Sequence, residues 1–278
     1  MKRFLGLALA LAAAWPLHAQ NTYPVSAGAD DAGFTPIFDG KTLNGWEGDK
    51  VHWRVEDGCI VGEITANTTI RVNTFLIWRG GAPKDFELKV EYRISDHGNS
   101  GVNYRSAEVE DVPLALKGYQ FDLDGEKRNN NGVRYTGQNY EERGRTFLAL
   151  RGQITRVGGA GQPPQIIGSL GDDKDLLGVI KNGDWNELHI IARGNTLIHI
   201  LNGRVLDIVV DEDPAGRRFG GLIGVQVHQG PPMKIEYRRF LLKNLDPIPT
   251  GPSANSPGAS TASVTTGKPV SAPSTVAQ

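Results

Sequence analysis

The chain has 278 residues, and 30 Lys and Arg against 31 Asp and Glu give a formal net charge of −1, so it lacks the basic excess of a nucleic-acid binder. A single cysteine, Cys59, excludes an intramolecular disulfide and a cysteine-based zinc site, and reads as a small core residue. With 35 glycines and few helix-favouring runs, the sequence is rich in turns and points to an all-β chain.

Lys2 and Arg3 precede an apolar run from Phe4 to Ala14, with Leu17-His18-Ala19 before the expected break. A basic start, about a dozen apolar residues and a small residue at the break predict a signal peptide over 1–19 and a periplasmic or extracellular location. The run is too short to span a bilayer and no second apolar run follows, so no integral membrane span is expected. Residues 20–33 are assigned to an N-terminal linker and 34–246 to one folded domain.

Within that domain the apolar period is two. Val51-His52-Trp53-Arg54-Val55 alternates, and Asp57-Gly58 predicts a tight hairpin turn into Cys59-Ile60-Val61. Residues 86–94 alternate without a break, five apolar against four charged, which predicts a half-buried strand. Strands are expected over 188–192 and 196–201 around Arg193-Gly194-Asn195. Asn202-Gly203 turns the chain into a strand over 204–210, and 222–228 and 234–242 follow. No segment carries a three-turn amphipathic helix. Many short antiparallel strands predict a two-sheet jelly-roll sandwich. The Pro-, Ser-, Thr- and Ala-rich segment 247–278, with Lys268 as its one charge, buries too little apolar surface to offset its entropy and is expected to be a disordered tail.

Three segments carry short hydrogen-bonding residues where a solvated face would carry Lys and Glu. Asn103 and Arg105 alternate with Val102 and Tyr104. Gln120, Asp122 and Asp124 alternate with Tyr119, Phe121 and Leu123. Gly224, Gln226 and His228 alternate with Ile223, Val225 and Val227. If the three strands share a curved sheet, these faces line a groove whose amides, carboxylates and guanidinium match the hydroxyls of a sugar. Trp78, Tyr104 and Tyr140 are the aromatics expected to pack on a sugar ring. Asp122, Asp124 and His228 are of types that suit a hard or intermediate divalent ion, although their spacing is not diagnostic and no cofactor is assigned.

The motifs Phe38-Asp39-Gly40-Lys41-Thr42-Leu43-Asn44-Gly45-Trp46, Asp85-Phe86-Glu87-Leu88, Gly98-Asn99-Ser100-Gly101-Val102 with Tyr104-Arg105, and Gly118-Tyr119-Gln120-Phe121-Asp122 come in that order. They are followed by Tyr140-Glu141-Glu142-Arg143-Gly144-Arg145, Trp185-Asn186, Asn202-Gly203 and Gly224-Val225-Gln226-Val227-His228. Together, over about 34–245, they make a chain that resembles the 3-keto-disaccharide hydrolase family. The resemblance implies a concanavalin A-like jelly roll, a secreted or periplasmic setting and hydrolysis of glycosides oxidised at C3. Two positions depart from it: Tyr237-Arg238-Arg239-Phe240 stands where many members have Phe-Arg-Asn-Ile, and Gln120 stands where many have Glu, so no proton transfer is assigned to Gln120.

A 3-keto group acidifies the C2 hydrogen, so a base can remove it, the C1 substituent leaves by β-elimination, and water adds back. The reaction asks for a base, a proton donor to the leaving oxygen, and donors to the enolate. Asp122 or His228 is the candidate base, Glu142 the candidate acid, and Arg105 or Gln226 the candidate enolate donor. Asn103, Arg105, Gln120, Tyr140, Gln226 and Trp78 form the expected substrate-binding set. His228 also fits a structural hydrogen bond, and Glu142 a solvated charge cluster. Two other classes stay open: a non-catalytic carbohydrate-binding module of lectin type, and a conventional endo-glucanase suggested by the alternation Gln120-x-Asp122-x-Asp124. The oligomeric state is not read from the sequence.

Overall fold

The computed structural model describes residues 31–125, 134–159 and 161–245. The expected signal peptide, linker residues 20–30 and the tail over 247–278 lie outside the described residues. In chain order the strands are β1 (Thr35–Pro36), β2 (Trp46–Glu47), β3 (Trp53–Glu56), β4 (Cys59–Ile64), β5 (Thr74–Trp78), β6 (Phe86–Ile94), β7 (Asn99–Val109) and β8 (Val112–Asp124). They continue as β9 (Asn139–Glu142), β10 (Thr146–Ala149), β11 (Gln153–Val157) and β12 (Gln165–Ser169). After the helix α1 (Asp173–Leu177) come β13 (Asn186–Arg193), β14 (Thr196–Leu201), β15 (Arg204–Asp211), β16 (Leu222–Val227) and β17 (Met233–Asn244). The helix has only 5 residues, in keeping with the lack of helical periodicity.

Two sheets face each other in a jelly-roll sandwich. One has ten strands, ordered β12-β11-β15-β14-β13-β6-β17-β4-β3 with β1 beside β17, and the other has seven, ordered β10-β9-β8-β7-β16-β5-β2. The pairings are antiparallel except that of β11 with β15. Phe86, Leu88, Val90, Tyr92 and Ile94 of β6 turn inward while the intervening charges stay half-exposed. They meet Val102, Tyr104, Phe121, Leu123, Ile223, Val225 and Val227 from the seven-stranded sheet in one core. Burying such side chains stabilises by about 1.5–3 kcal/mol each before conformational entropy is counted.

The turn chemistry acts as expected. Asp57 and Gly58 have φ of 49° and 77°, and Asn202 and Gly203 have 48° and 80°, the doubly left-handed pair that matches strand twist in a two-residue hairpin. The end of the expected linker is part of the fold: Asp31 is buried, 3.1 Å from Lys89 Nζ and 2.5 Å from Arg239 Nη2. Arg239 reaches it because β17 bulges there, with φ of 53° and a register shift between Arg238 and Leu241.

The long hairpin of β7 and β8 positions the site. Its pairing slips between Tyr104 and Ala107 and again between Glu108 and Val109. Beyond the first slip, Leu114 and Leu116 pack on Phe75 and Ile77, on the side of the seven-stranded sheet that faces away from the core. A Cβ at Gly224 would lie 2.6 Å from Leu116 Cδ1, so this strand needs glycine where the hairpin arm crosses it.

Candidate active site

Directly opposed residues of an antiparallel pair share a face. Asn103 opposes Gln120, Gly101 opposes Asp122, Gln120 opposes Tyr140, and Gly118 opposes Glu142. Gly224 opposes Asn103 across β7 and β16. Asn103, Gln120, Asp122, Tyr140, Glu142 and Gln226 therefore share the outer face of the seven-stranded sheet, beside the part covered by the hairpin arm.

On that face the side chains lie down over the strands. Gln226 Nε2 donates to Gln120 Oε1 at 3.3 Å and to Glu142 Oε2 at 3.3 Å. Three strand spacings separate β16 from β9, roughly 14 Å along the sheet, so two long side chains must meet over the strands between. Gly101 permits this, because a Cβ there would sit 2.4 Å from Gln120 Cδ. Gln120 Nε2 in turn reaches Asp122 Oδ1 at 3.4 Å.

Glu142 is buried and also accepts from Asn73 Nδ2 at 3.4 Å, while Asn73 Oδ1 receives the backbone N–H of Gln229 at 3.0 Å. Burial pushes the Glu142 carboxyl above the usual carboxylate range, outweighing the bonds from Asn73 and Gln226 and the Arg143 guanidinium 3.9 Å away. The Tyr140 phenol is also pushed up, by burial and then by the charges of Glu142 and Asp122. Its ring packs edge-on against Phe147 at 5.1 Å. Beneath these groups are buried polar atoms with no partner among the described residues: both amide atoms of Asn103, Gln226 Oε1 and Asn99 Oδ1. An unmatched buried polar group costs about 1–3 kcal/mol, and this floor offers both a donor and acceptors.

His228 follows β16 and is partly exposed. Its Nδ1 lies 2.6 Å from the Gln229 carbonyl, which can only accept, so Nδ1 carries the proton and neutral His228 presents Nε2 as its basic nitrogen.

Four expectations are corrected. Tyr104 is fully buried in the core and does not reach a sugar ring. Arg105 does not share the face of Asn103. Its φ of 45° at the β7 bulge turns it inward, where it is fully buried and bonds the carbonyls of Lys84 (2.8 Å), Gly194 (2.7 Å) and Arg218 (3.1 Å) and Asp85 Oδ1 (3.0 Å). Every side of the guanidinium is occupied, so it is neither a sugar ligand nor an enolate donor. Trp78 is also absent from the face. Phe75 opposes Gln226 and shares its side, so Leu76 and Trp78 point the other way, and Trp78 packs against the main core. Asp124 is taken up by the 134–136 loop: its Oδ1 receives Thr136 N (3.1 Å), Thr136 Oγ1 (2.7 Å) and Arg134 Nε (3.2 Å), and its Oδ2 receives Tyr135 N (2.9 Å). The alternating-carboxylate strand of a glucanase is thus reduced to Asp122. The described residues hold no cluster of three His, Cys, Asp or Glu able to grip a metal, so Asp122, Asp124 and His228 do not form the divalent site their types suggest.

Asn73 and Asn99 enter the site without having been singled out. Asn99 was readable, since it extends the period-two series through Gly101 and Asn103. Asn73 lies in a loop and carries no such signal. A cavity of about 470 Å³ lies on the outer side of the ten-stranded sheet, between Phe34, Glu87, Lys89, His189 and Lys243. Its charges are paired: His189 and Lys243 with Glu87 at 2.9 and 3.4 Å, Lys89 with Asp31 at 3.1 Å and Glu187 with Arg239 at 3.3 Å. The amide-rich face lies on the other sheet.

Over 94 residues the chain is 39% identical to the 3-keto-disaccharide hydrolase of Bacteroides thetaiotaomicron, a match that covers 29% of this chain and 30% of that protein. The chain thus spans under a third of the curated relative's length. Two crystal structures of candidate glycosyl hydrolases from Parabacteroides distasonis are similar in fold. One has a TM-score of 0.52 and 24% identity over 77% of this chain and 95% of the other. The second has a TM-score of 0.50 and 19% identity over 76% and 99%. A family model described as a 3-keto-alpha-glucoside-1,2-lyase-like domain matches residues 33–243, and the chain belongs to that family.

Proposed function

We propose that this protein cleaves glycosides already oxidised to the ketone at C3, by elimination followed by hydration. The observation that carries the reading is the buried Glu142 carboxyl, shifted toward its protonated form beside the Gln226 amide, on the face that also carries the unpartnered Asn103 amide. A carboxyl that burial shifts toward its protonated form can protonate a departing oxygen, and preorganised amide donors in a buried site stabilise an enolate. Family membership and the name of the curated relative support the same substrate class.

In this reading Asp122 takes the proton from C2, and the C–H electron pair forms the enolate of the C3 ketone. Asn103 Nδ2, which has no partner among the described residues, donates to the enolate oxygen, while both N–H groups of Gln226 stay on Gln120 and Glu142. As the ketone re-forms, the C1–O bond breaks, Glu142 gives its proton to the leaving oxygen, and a C1–C2 double bond results. Water then adds across that bond, its hydroxyl to C1 and a proton to C2, and releases the 3-keto sugar. Asp122 is preferred to His228 as base because it sits among the amides of the floor, whereas His228 lies at the end of the face. The test offers one glucoside in plain and 3-keto forms: the 3-keto form is cleaved and the plain form persists. Equal cleavage of both contradicts the substrate class, and tight binding without turnover of either indicates a lectin-like module. We also propose export with loss of residues 1–19, supported by the basic and apolar start of the sequence. An intact Met1 on the exported protein, read by mass spectrometry, contradicts it.

A further inference from the structure

Behind the candidate site lies a buried polar chain that the mechanism does not use. His199 of β14 and Asp207 of β15 oppose each other in the ten-stranded sheet, and both are fully buried. His199 Nδ1 lies 3.1 Å from Asp207 Oδ2, not aligned as a hydrogen bond. On its far side, His199 Nε2 is 2.9 Å from the Tyr104 hydroxyl and 3.3 Å from Asn139 Nδ2, and Asn139 Nδ2 is also 3.2 Å from that hydroxyl. An amide nitrogen can only donate, so Nε2 faces Asn139 as an acceptor, and Nδ1 faces Asp207. The imidazole also packs on Phe121, with ring centroids 4.5 Å apart.

One side chain from the opposite sheet thus touches three consecutive strands of the site sheet from behind: β7 at Tyr104, β8 at Phe121 and β9 at Asn139. Each contact is the chain neighbour of a side chain on the outer face. Tyr104 adjoins Asn103, Phe121 lies between Gln120 and Asp122, and Asn139 precedes Tyr140. β9 has only 4 residues and carries Glu142 at its end, paired with β8 on one edge and β10 on the other.

We propose that His199 is a positioning residue: from the opposite sheet it fixes the mutual placement of the strands that carry Asn103, Asp122, Tyr140 and Glu142, without touching substrate. Its effect on turnover rests on reading that face as the active site; its grip on the strands does not. Buried polar networks specify one arrangement more than they add stability, and an apolar replacement of the whole pair is often neutral in stability.

The test uses the full chain with His199→Leu and Asp207→Leu combined, so that no charge is left stranded, and separately Tyr104→Phe, which removes one hydroxyl at constant ring volume. The direct readout is amide hydrogen exchange. In the paired variant residues 139–142 are expected to exchange about tenfold faster while β6 is unchanged. On a 3-keto glucoside, kcat is expected to fall about tenfold or more, with a smaller change in KM and an unaltered shape of the pH profile, because misplacement costs rate without changing the titrating groups. Tyr104→Phe is expected to show the same pattern at smaller amplitude, and it carries the test if the paired variant fails to fold. Unchanged exchange at 139–142 overturns the proposal. Faster exchange with full turnover per folded molecule overturns its catalytic half. If the native protein leaves 3-keto glucosides intact, the proposed function fails, and exchange alone decides whether His199 holds the strands.

Discussion

Replacing Arg105 separates a structural pin from a sugar ligand. In Arg105→Ala, three backbone carbonyls and the Asp85 carboxylate lose their donor at once. Breaking a buried ion pair from one side costs about 3–5 kcal/mol. Two features favour the lower part of that range: the Asp85 side chain is 18% exposed, and its Oδ1 keeps the bond from Gly194 N at 2.9 Å. The orphaned carbonyls act the other way, at about 1–3 kcal/mol each where water cannot reach them. With about 2–4 °C of melting shift per kcal/mol for a domain of this size, 3–5 kcal/mol is a fall of about 6–20 °C. Urea unfolding followed by tryptophan fluorescence reads the free energy, and a thermal melt reads the shift. Arg105→Lys should recover only part of the loss, since a single ammonium cannot span groups that a planar fork reaches. Below the melting range, KM for a 3-keto glucoside should match that of the native protein. A loss under about 1 kcal/mol together with a clear rise in KM would refute this reasoning and put Arg105 back in the groove.

Glu142→Gln should lower kcat by about 10²-fold or more if Glu142 protonates the leaving group. The same change should raise stability at neutral pH. Burial lifts the folded-state pKa above that of the unfolded chain, so the stability this carboxyl contributes is complete at low pH and is lost as pH rises through the lifted value. The variant has no such loss, and its advantage in urea midpoint should grow from pH 4 to pH 8; a shrinking advantage contradicts the burial account. Asp122→Asn should cost about 10²-fold in kcat with an unchanged melt, whereas His228→Ala should cost less; the reverse ranking transfers the base role to His228. Trp78→Leu should lower the unfolding free energy by about 1–3 kcal/mol, read as a lower urea midpoint, and leave KM within about twofold, because the ring lies against the core. A large KM change with an unchanged midpoint contradicts that placement.

The sequence made the scaffold legible wherever one physical rule acted alone. Residues 86–94 alternate because one side of β6 faces the core and the other faces water, and the two hairpins form where Asp-Gly and Asn-Gly supply left-handed pairs. The amide-rich face was legible for the same reason, since Gln120, Asp122, Gln226 and Asn103 keep strict period two. Alternation misled at Arg105, where the bulge adds a residue and reverses the side on which the next one falls. Thr74–Trp78 is apolar from Phe75 onward, so nothing in its pattern could show that Phe75 and Ile77 lie under the hairpin arm while Trp78 faces the core. Asp124 has the right period, but a loop ten to twelve residues downstream claims its oxygens, and period carries no information about such contacts. His199 sits among Leu197, Ile198, Ile200 and Leu201, where both faces read as apolar and its inward aim is set by Tyr104 and Asp207.

The central claim is that C2 gives up its proton before the glycosidic bond breaks. Turnover of a 3-keto glucoside in heavy water, with the released 3-keto sugar analysed by NMR or mass spectrometry, tests it directly. Free 3-keto sugar incubated without the protein serves as the control for spontaneous exchange. Elimination and hydration through Asp122 and Glu142 predict deuterium at C2 in every released molecule, well above that control. Complete cleavage with C2 deuterium at the control level would contradict the account and indicate direct displacement at C1.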